Sequence, residues 1–168
     1  MATFKDYLEN NSLLILHGAL GTEMEALGYD ISGKLWSAKY LLEKSEVIQE
    51  LHETYVAAGA DLITTSSYQA TLPGLVEAGL TEKAAEQIIA LTVRLAKAAR
   101  DKVWGALDET EKAKRPYPLI SGDVGPYAAY LANGSEYSGD YGQITIKELK
   151  DFHRPRIQIL LDQGVDLL

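Results

Sequence analysis

Residues 57–71, AAGADLITTSSYQAT, decide the fold that the rest of the sequence indicates. Gly59 is placed to end a helix, because glycine readily adopts the left-handed conformation that follows many helices. Residues 62–65 form a short uncharged run, typical of a strand buried on both faces of a parallel sheet. Six of the eight residues 64–71 then carry a hydroxyl group. Since α/β proteins bind ligands at the carboxyl ends of parallel strands, this run predicts a binding loop; a solvated turn is the alternative.

Length and composition indicate one globular domain with a hydrophobic core. Of the 168 residues, 46% are hydrophobic and 24% are charged, which are ordinary values for a folded domain. The net charge of −8 argues against a nucleic-acid surface, which needs a basic face. No apolar run approaches the ~20 residues that cross a bilayer, and residues 1–7 lack the apolar core of a signal peptide. The chain has no cysteine, so it can form neither disulfides nor thiolate metal sites. We therefore expect a cytoplasmic protein.

Three further segments predict strands. Residues 13–16 (LLIL) are an apolar run short enough for a buried strand, and residues 119–121 (LIS) follow a stiff, proline-rich approach. Residues 164–168 (GVDLL) repeat the pattern of residues 59–63 (GADLI) and predict the start of a fourth strand. The first run leads into Gly18 and Gly21, which indicate either close approach to a ligand or a tight turn.

Helices are predicted between these strands. Ser45 and Thr81 are candidate N-caps of two amphipathic helices, and Thr145 opens a third with a capping-box pattern. Pro155 should kink or divide that third helix. Residues 108–115 are charged and without periodicity, which predicts a surface connection.

The alternation of strands and helices predicts a parallel sheet whose polar loops converge on one face. One of these loops, residues 122–142, is rich in glycine and tyrosine, and a loop of about twenty residues in a compact domain is usually functional. A parallel sheet is normally covered on both faces. The pattern therefore resembles half of a larger α/β fold.

Six stretches of the sequence, spread over nearly the whole chain, together resemble one known family. They are residues 16–23 (LHGALGTE), 35–39 (LWSAK), 64–71 (TTSSYQAT), 122–127 (GDVGPY), 130–137 (YLANGSEY) and 152–156 (FHRPR). The family is that of the homocysteine S-methyltransferases. Within it, the stretches look most like the bacterial and plant enzymes that take a methyl group from S-methylmethionine.

The resemblance implies an eight-stranded (β/α)8 TIM barrel that carries a zinc ion. Such barrels run to about 250 residues or more, so residues 1–168 would supply about three βα units and the start of strand 4. The family's zinc ligands are cysteines of the carboxyl-terminal half, so we expect this chain alone to hold no zinc. The implied reaction moves a methyl group from a sulfonium donor, S-methylmethionine or S-adenosylmethionine, to homocysteine and gives methionine. Small-molecule substrates are the expected partners, without nucleic acid or membrane.

The same resemblance assigns the homocysteine contacts. Gly18, Ala19 and Thr65 would cradle the amino acid. His17 stands where the family usually has an aspartate that helps to hold the homocysteine amino group. A neutral histidine could still accept a hydrogen bond there, and a core histidine is the alternative reading.

Five further site positions complete the implied assignment. Tyr68 resembles a family tyrosine close to the zinc site and is the candidate catalytic residue, unless it merely packs over the barrel mouth. Asp123, Val124 and Gly125 would belong to the floor of the substrate site. Trp36 could face the cationic donor, since aromatic faces attract sulfonium groups as they attract ammonium groups, or it could belong to the core.

Two other interpretations remain open at this stage. The chain could be a catalytically inactive half-barrel that self-associates through its open sheet. It could also be a flavodoxin-like domain that binds an anion, although the sequence lacks a phosphate loop and a complete fourth strand.

Overall fold

The computed structural model describes residues 4–10, 13–33 and 35–168. The helices of these residues are α1 (Phe4–Asn10), α2 (Leu20–Ala26), α3 (Tyr40–Glu43), α4 (Ser45–Ala57), α5 (Leu72–Glu77), α6 (Glu82–Ala106), α7 (Glu109–Lys112), α8 (Tyr127–Leu131), α9 (Ser135–Ser138) and α10 (Ile146–Asp162). A 3-10 helix, Trp36–Lys39, leads directly into α3, and the strands are β1 (Leu62–Thr64) and β2 (Leu119–Ser121).

The sheet is small and parallel, as the sequence predicts. In the register of β1 and β2, Leu62 lies opposite Leu119. A parallel bridge between Leu16 and Leu62 extends the sheet on one side, and one between Ser121 and Leu167 extends it on the other. Four chain segments thus lie side by side in sequence order, and helices connect them. Their carboxyl ends point the same way, which brings the following loops together.

Two aspartates tie neighbouring strand segments together in the same way. The Asp61 carboxylate accepts a hydrogen bond from the Ile15 amide at 3.0 Å, and the Asp166 carboxylate accepts one from the Ile120 amide at 2.7 Å. In each segment the glycine two positions before the aspartate has a positive φ, which ends the preceding turn. The sequence repeat GADLI and GVDLL is therefore a structural repeat that aligns each segment with the one before it.

The core lies between the sheet and the long helices α4 and α6, which pack along each other. Ile63 and Ile120, at the centre of the sheet, are fully buried. The other fully buried apolar side chains include Met24, Ile48, Val56, Leu75, Ile89, Val93 and Leu160. Among the described helices, none combines the length and the apolar character that a membrane span requires.

One predicted cap is wrong, and one short helix was not predicted. Helix α4 begins at Ser45 itself, and Lys44 occupies the cap position without a side-chain hydrogen bond, because α3 ends only one residue earlier. The segment 108–115 is the surface connection that the sequence predicts, with no buried residue, but it also contains helix α7, which is held by a capping box between Asp108 and Glu111. Four helical residues are too few to show an apolar period, so the pattern did not reveal this helix.

Helix α10 runs unbroken from Ile146 to Asp162 with Pro155 inside it, so the predicted division of this helix is wrong. Proline removes one backbone donor but leaves the other hydrogen bonds of the helix available. The predicted capping box at Thr145 and Glu148 fixes one end. Buried Arg156 and Leu160 hold the second half against the rest of the protein.

The outer segments of the sheet are less regular than predicted. Residues 13–16 contribute only the bridge at Leu16, and the side chains of Leu13, Ile15 and Leu16 are 67%, 52% and 61% exposed. The prediction of a buried strand is wrong here, because no described element covers these side chains. The predicted fourth strand is likewise a single bridge, at Leu167.

Candidate functional site

The loops that follow the sheet segments meet around one cavity of about 360 Å³. Seven residues that the sequence predicts for the site line it: His17, Gly18, Ala19, Trp36, Thr65, Tyr68 and Asp123. Gln69, Glu136 and Tyr137 are among the residues that complete the lining. The cavity therefore gathers residues from three loops and from the segment before α3, at the carboxyl ends of the strands.

Val124 and Gly125 do not line this cavity. Val124 packs against the hydrophobic core. Gly125 lies against the loop after β1, where an added Cβ atom would stand 2.3 Å from the Tyr68 carbonyl oxygen. Glycine is needed there because the two backbones approach each other too closely for any side chain.

Hydroxyl groups join the loop after β1 to the loop after β2. The Thr65 hydroxyl accepts a hydrogen bond from the Asp123 amide at 2.9 Å and lies 2.7 Å from the Ser67 hydroxyl. Since the Ser67 hydroxyl donates its proton to the Asp123 carbonyl at 2.6 Å, the Thr65 hydroxyl must donate to Ser67. Thr65 is 2% exposed. Its hydroxyl is thus largely committed to holding the loops together and retains one lone pair for a ligand.

Arg156 fastens the same two loops from behind. Its Nη1 atom donates to the carbonyls of Ser67 and Tyr68 at 3.1 and 2.9 Å, and its Nη2 atom donates to the Gly125 carbonyl. The side chain is almost completely buried, and burial lowers its pKa to about 10. The sequence motif at residues 152–156 contains this arginine. Its role follows only from the contacts, because the carbonyl groups that it binds are 31 to 89 positions away in the sequence.

His17 forms a buried pair with His52 of helix α4. The His17 Nε2 atom lies 2.9 Å from the His52 Nδ1 atom, and the Tyr55 ring packs against His17 at a centroid distance of 4.3 Å. Burial lowers the pKa of His17 to about 4 and that of His52 to about 3. Both imidazoles are therefore neutral near pH 7, and His17 cannot supply the fixed negative charge of an aspartate. Sequence reasoning missed His52, which lies on the apolar face of a helix.

Aromatic side chains form another part of the lining. Tyr68 is 42% exposed, and no described residue hydrogen-bonds its hydroxyl. Trp36 is 48% exposed and has a φ of 45°, in the left-handed region. A bulky residue in that region is strained by about 1–3 kcal/mol, and such strain is concentrated at functional sites.

Two carboxylates give the cavity a negative character. Burial raises the pKa of Asp123, and the positive charge of Arg156 opposes this shift. Glu136, on α9, has a fully buried Oε2 atom without a hydrogen-bond partner among the described residues. None of the described lining residues is a lysine or an arginine. The arrangement favours a cationic or zwitterionic small molecule over an anion.

The described residues do not form a metal site. No group of three or more His, Cys, Asp or Glu side chains in residues 4–10, 13–33 and 35–168 is arranged to hold a metal ion. The complete sequence contains no cysteine. These residues therefore do not fit a zinc centre.

Comparisons with known proteins agree with this geometry. The sequence profile of a family described as homocysteine S-methyltransferase matches residues 14–168. The homocysteine S-methyltransferase YbgG of Bacillus subtilis (strain 168) is 44% identical over the whole chain, which covers 52% of that protein. Homocysteine S-methyltransferase 1 of Zea mays is 44% identical over 92% of the chain, and 48% of the maize protein is covered. The chain spans about half the length of the curated relatives it matches.

A solved structure shows the same arrangement of the backbone. The crystal structure of the homocysteine methyltransferase MmuM from Escherichia coli, in its metallated form, superposes with a TM-score of 0.81 at 44% identity. The superposition covers 96% of this chain and 54% of the MmuM chain. The described fold is thus that of part of a larger known structure.

Proposed function

Since the chain belongs to the homocysteine S-methyltransferase family, we propose that its cavity contributes to the site in which homocysteine is methylated by a sulfonium donor. The observation that carries this proposal is the convergence of seven predicted site residues on one cavity at the strand ends. In this proposal residues 1–168 form the first half of a (β/α)8 barrel in the cytoplasm. The product is methionine, and S-methylmethionine is the donor that the resemblance favours over S-adenosylmethionine.

The reaction transfers a methyl group between two sulfur atoms. The homocysteine sulfur forms a bond to the methyl carbon while the bond from that carbon to the donor sulfur breaks. The electron pair of the broken bond stays on the donor sulfur, so the donor leaves as a neutral thioether. The homocysteine thiol loses its proton to a base or to solvent. Because the leaving group needs no proton, the site has to orient two sulfur atoms in line and exclude water.

The lining residues divide between these tasks. Gly18 and Ala19 line the cavity, and Gly18 leaves no room for a side chain, because an added Cβ atom would stand 2.5 Å from the Tyr55 ring. This side, together with Thr65, would hold homocysteine. Trp36 and Tyr68 would present aromatic faces to the cationic donor. Ionisation of the thiol is not assigned to the described residues, since they do not fit the zinc centre that the resemblance implies.

The first test combines a methyl-transfer assay with the Tyr68→Phe variant. In the protein encoded by the complete gene, we expect methionine formation from homocysteine and S-methylmethionine, and a lower kcat/KM for homocysteine in the variant. The melting temperature should stay nearly unchanged, because the lost hydroxyl has no hydrogen-bond partner among the described residues.

Tyr141→Phe is the matched control. Tyr141 is 40% exposed, close to the 42% of Tyr68, but lies outside the cavity lining. Its replacement should leave the kinetics intact. A fall in stability for Tyr68→Phe with unchanged kinetics would assign Tyr68 to packing and argue against its place in the site.

The exposed apolar side chains beside the sheet favour one alternative, an inactive protein that self-associates. Leu13, Ile15 and Leu16 are exposed at one edge, and exposed sheet edges are normally covered or paired. If copies of the 168-residue polypeptide cover each other's edges, light scattering should show an oligomer. A compact monomer that unfolds cooperatively would contradict this alternative.

A further inference from the structure

One carboxylate oxygen of Glu136 is buried, and the described residues offer it no partner. Its Oε2 atom is inaccessible to solvent and without a hydrogen bond to any described residue. A buried polar atom without a partner costs free energy in the folded protein, and unsatisfied groups in native structures call for a functional or structural explanation. Glu136 lines the cavity, so a ligand in the cavity could supply the missing partner.

The local structure holds Glu136 in place without using its carboxylate. The Asn133 side chain accepts hydrogen bonds from the Ser135 amide, at 3.0 Å, and from the Ser135 hydroxyl. Gly134 and Gly139, with φ of 83° and 74°, bound helix α9 at either end. The turn is therefore built by its neighbours. The Glu136 carboxylate is free to serve another purpose.

The surroundings of Glu136 are aromatic and contain no compensating cation among the described lining residues. Tyr68, Trp36 and Tyr137 line the same cavity. Burial and then the negative charge of Glu136 raise the pKa of Tyr68, so the phenol and the carboxylate are close. Asp123 differs from Glu136: burial raises the pKa of Asp123, and the positive charge of the buried Arg156 guanidinium partly opposes this shift.

We propose that Glu136 is the electrostatic partner of the sulfonium centre of the methyl donor. This inference rests on the proposed function and names a residue that discriminates the donor from its neutral product. A sulfonium has no N–H group to donate, so it is recognised by charge and by aromatic faces. A carboxylate beside Trp36 and Tyr68 supplies both. A primary ammonium, in contrast, needs several directed acceptors.

The test compares two ligands that differ at the sulfur atom only. S-methylmethionine and methionine share the amino and carboxylate groups, but only the former carries the extra methyl group and the positive charge on sulfur. Isothermal titration of each ligand into the protein encoded by the complete gene gives the ratio of the two dissociation constants. We expect the wild-type protein to favour S-methylmethionine. Glu136→Gln should reduce that preference by about tenfold or more, because one nearby unit charge is lost.

Asp140→Asn is the matched control. Asp140 is an exposed carboxylate of the same loop, outside the cavity lining, and its replacement makes the same change in net charge. This variant should keep the wild-type preference. The melting temperature of Glu136→Gln should stay close to that of the wild type, since the Glu136 Oε2 atom has no hydrogen-bond partner among the described residues that the substitution would remove. If Glu136→Gln does not fold, Glu136→Asp, which withdraws the charge by one methylene, serves for the same comparison.

Three results would overturn the inference. One is a wild-type protein that does not favour S-methylmethionine over methionine. Another is a Glu136→Gln variant with the full preference. The third is a variant that loses affinity for homocysteine while keeping the preference, which would assign Glu136 to the homocysteine ammonium group. Binding is measured without turnover, so a wild-type protein that favours the sulfonium but transfers no methyl group would refute the proposed function and leave the inference standing.

Discussion

His17 makes one side of the cavity wall neutral, because it is buried and paired with His52. Both rings are buried, and the hydrogen bond between them uses one nitrogen of each. The His52 Nε2 atom has no partner among the described residues, so protonation of either ring would place an uncompensated charge in the interior. A wall of this kind is neutral and apolar at physiological pH. Negative charge in the cavity must then come from Asp123 and Glu136.

This pair predicts acid lability of the folded protein. Histidines whose pKa is lowered by folding bind protons more readily in the unfolded state, so acid favours unfolding. The pair's stabilising contribution should be complete above pH 6.5. It should decline as the pH falls towards about 4 for His17 and about 3 for His52. Each unit of pKa depression corresponds to about 1.4 kcal/mol.

Urea unfolding between pH 7 and pH 4 measures this dependence. The double variant His17→Gln, His52→Gln should lose less stability over that range than the wild type does. His153→Gln is the control, because His153 is only half-buried and its pKa is lowered less strongly by burial. Equal pH dependence in the wild type and the double variant would mean that the histidine pair is not responsible.

The sequence predicted the identity of many site residues but not the contacts that define their roles. His17 was identified through the loop motif. His52 belongs to an amphipathic helix 35 positions away, and no motif around it indicates a place in the site. Thr65 was expected to cradle a ligand, and the sequence did not reveal that its hydroxyl also joins two loops. Long-range side-chain contacts of this kind depend on the packing of separate elements, which local sequence patterns do not encode.

At the scale of elements, the site depends on the close approach of the loops after β1 and β2. Arg156, on α10, donates hydrogen bonds to both loops. Gly125 allows the backbones to meet, with only 2.3 Å between its added Cβ atom and the Tyr68 carbonyl oxygen. Such an approach is possible only for glycine. The sequence predicted Gly125 as part of the floor of the substrate site but did not reveal its contact with the neighbouring loop.

Gly125→Ala should destabilise the protein by about 1–3 kcal/mol, because the methyl group would collide with a backbone carbonyl. Gly105→Ala is the matched control. An added Cβ atom at Gly105 would meet nothing within 4 Å, and alanine within a helix should stabilise it by up to about 1 kcal/mol. Urea unfolding of both variants checks the difference. Similar free energies of unfolding for the two would contradict the close approach of the loops.

At the scale of the whole molecule, the order of strands and helices was the most predictable feature. The bounds of β1 and β2 depend on local features, namely the glycine that ends the helix before β1 and the apolar run of each strand. The sequence therefore predicted both strands to within one residue. The edges of the sheet were less predictable. Residues 13–16 have the composition of a buried strand, but burial depends on what else covers them, and no described element does.

The central claim is that the cavity at the carboxyl ends of the strands holds the substrates. The measurement that tests it most directly is a crystal structure of the protein encoded by the complete gene with S-methylmethionine bound. We expect density for the ligand between Gly18, Tyr68 and Asp123, with the sulfonium group on the side of Glu136. Density in the separate aromatic groove lined by Tyr127, Tyr141 and Phe152, with this cavity empty, would contradict the account.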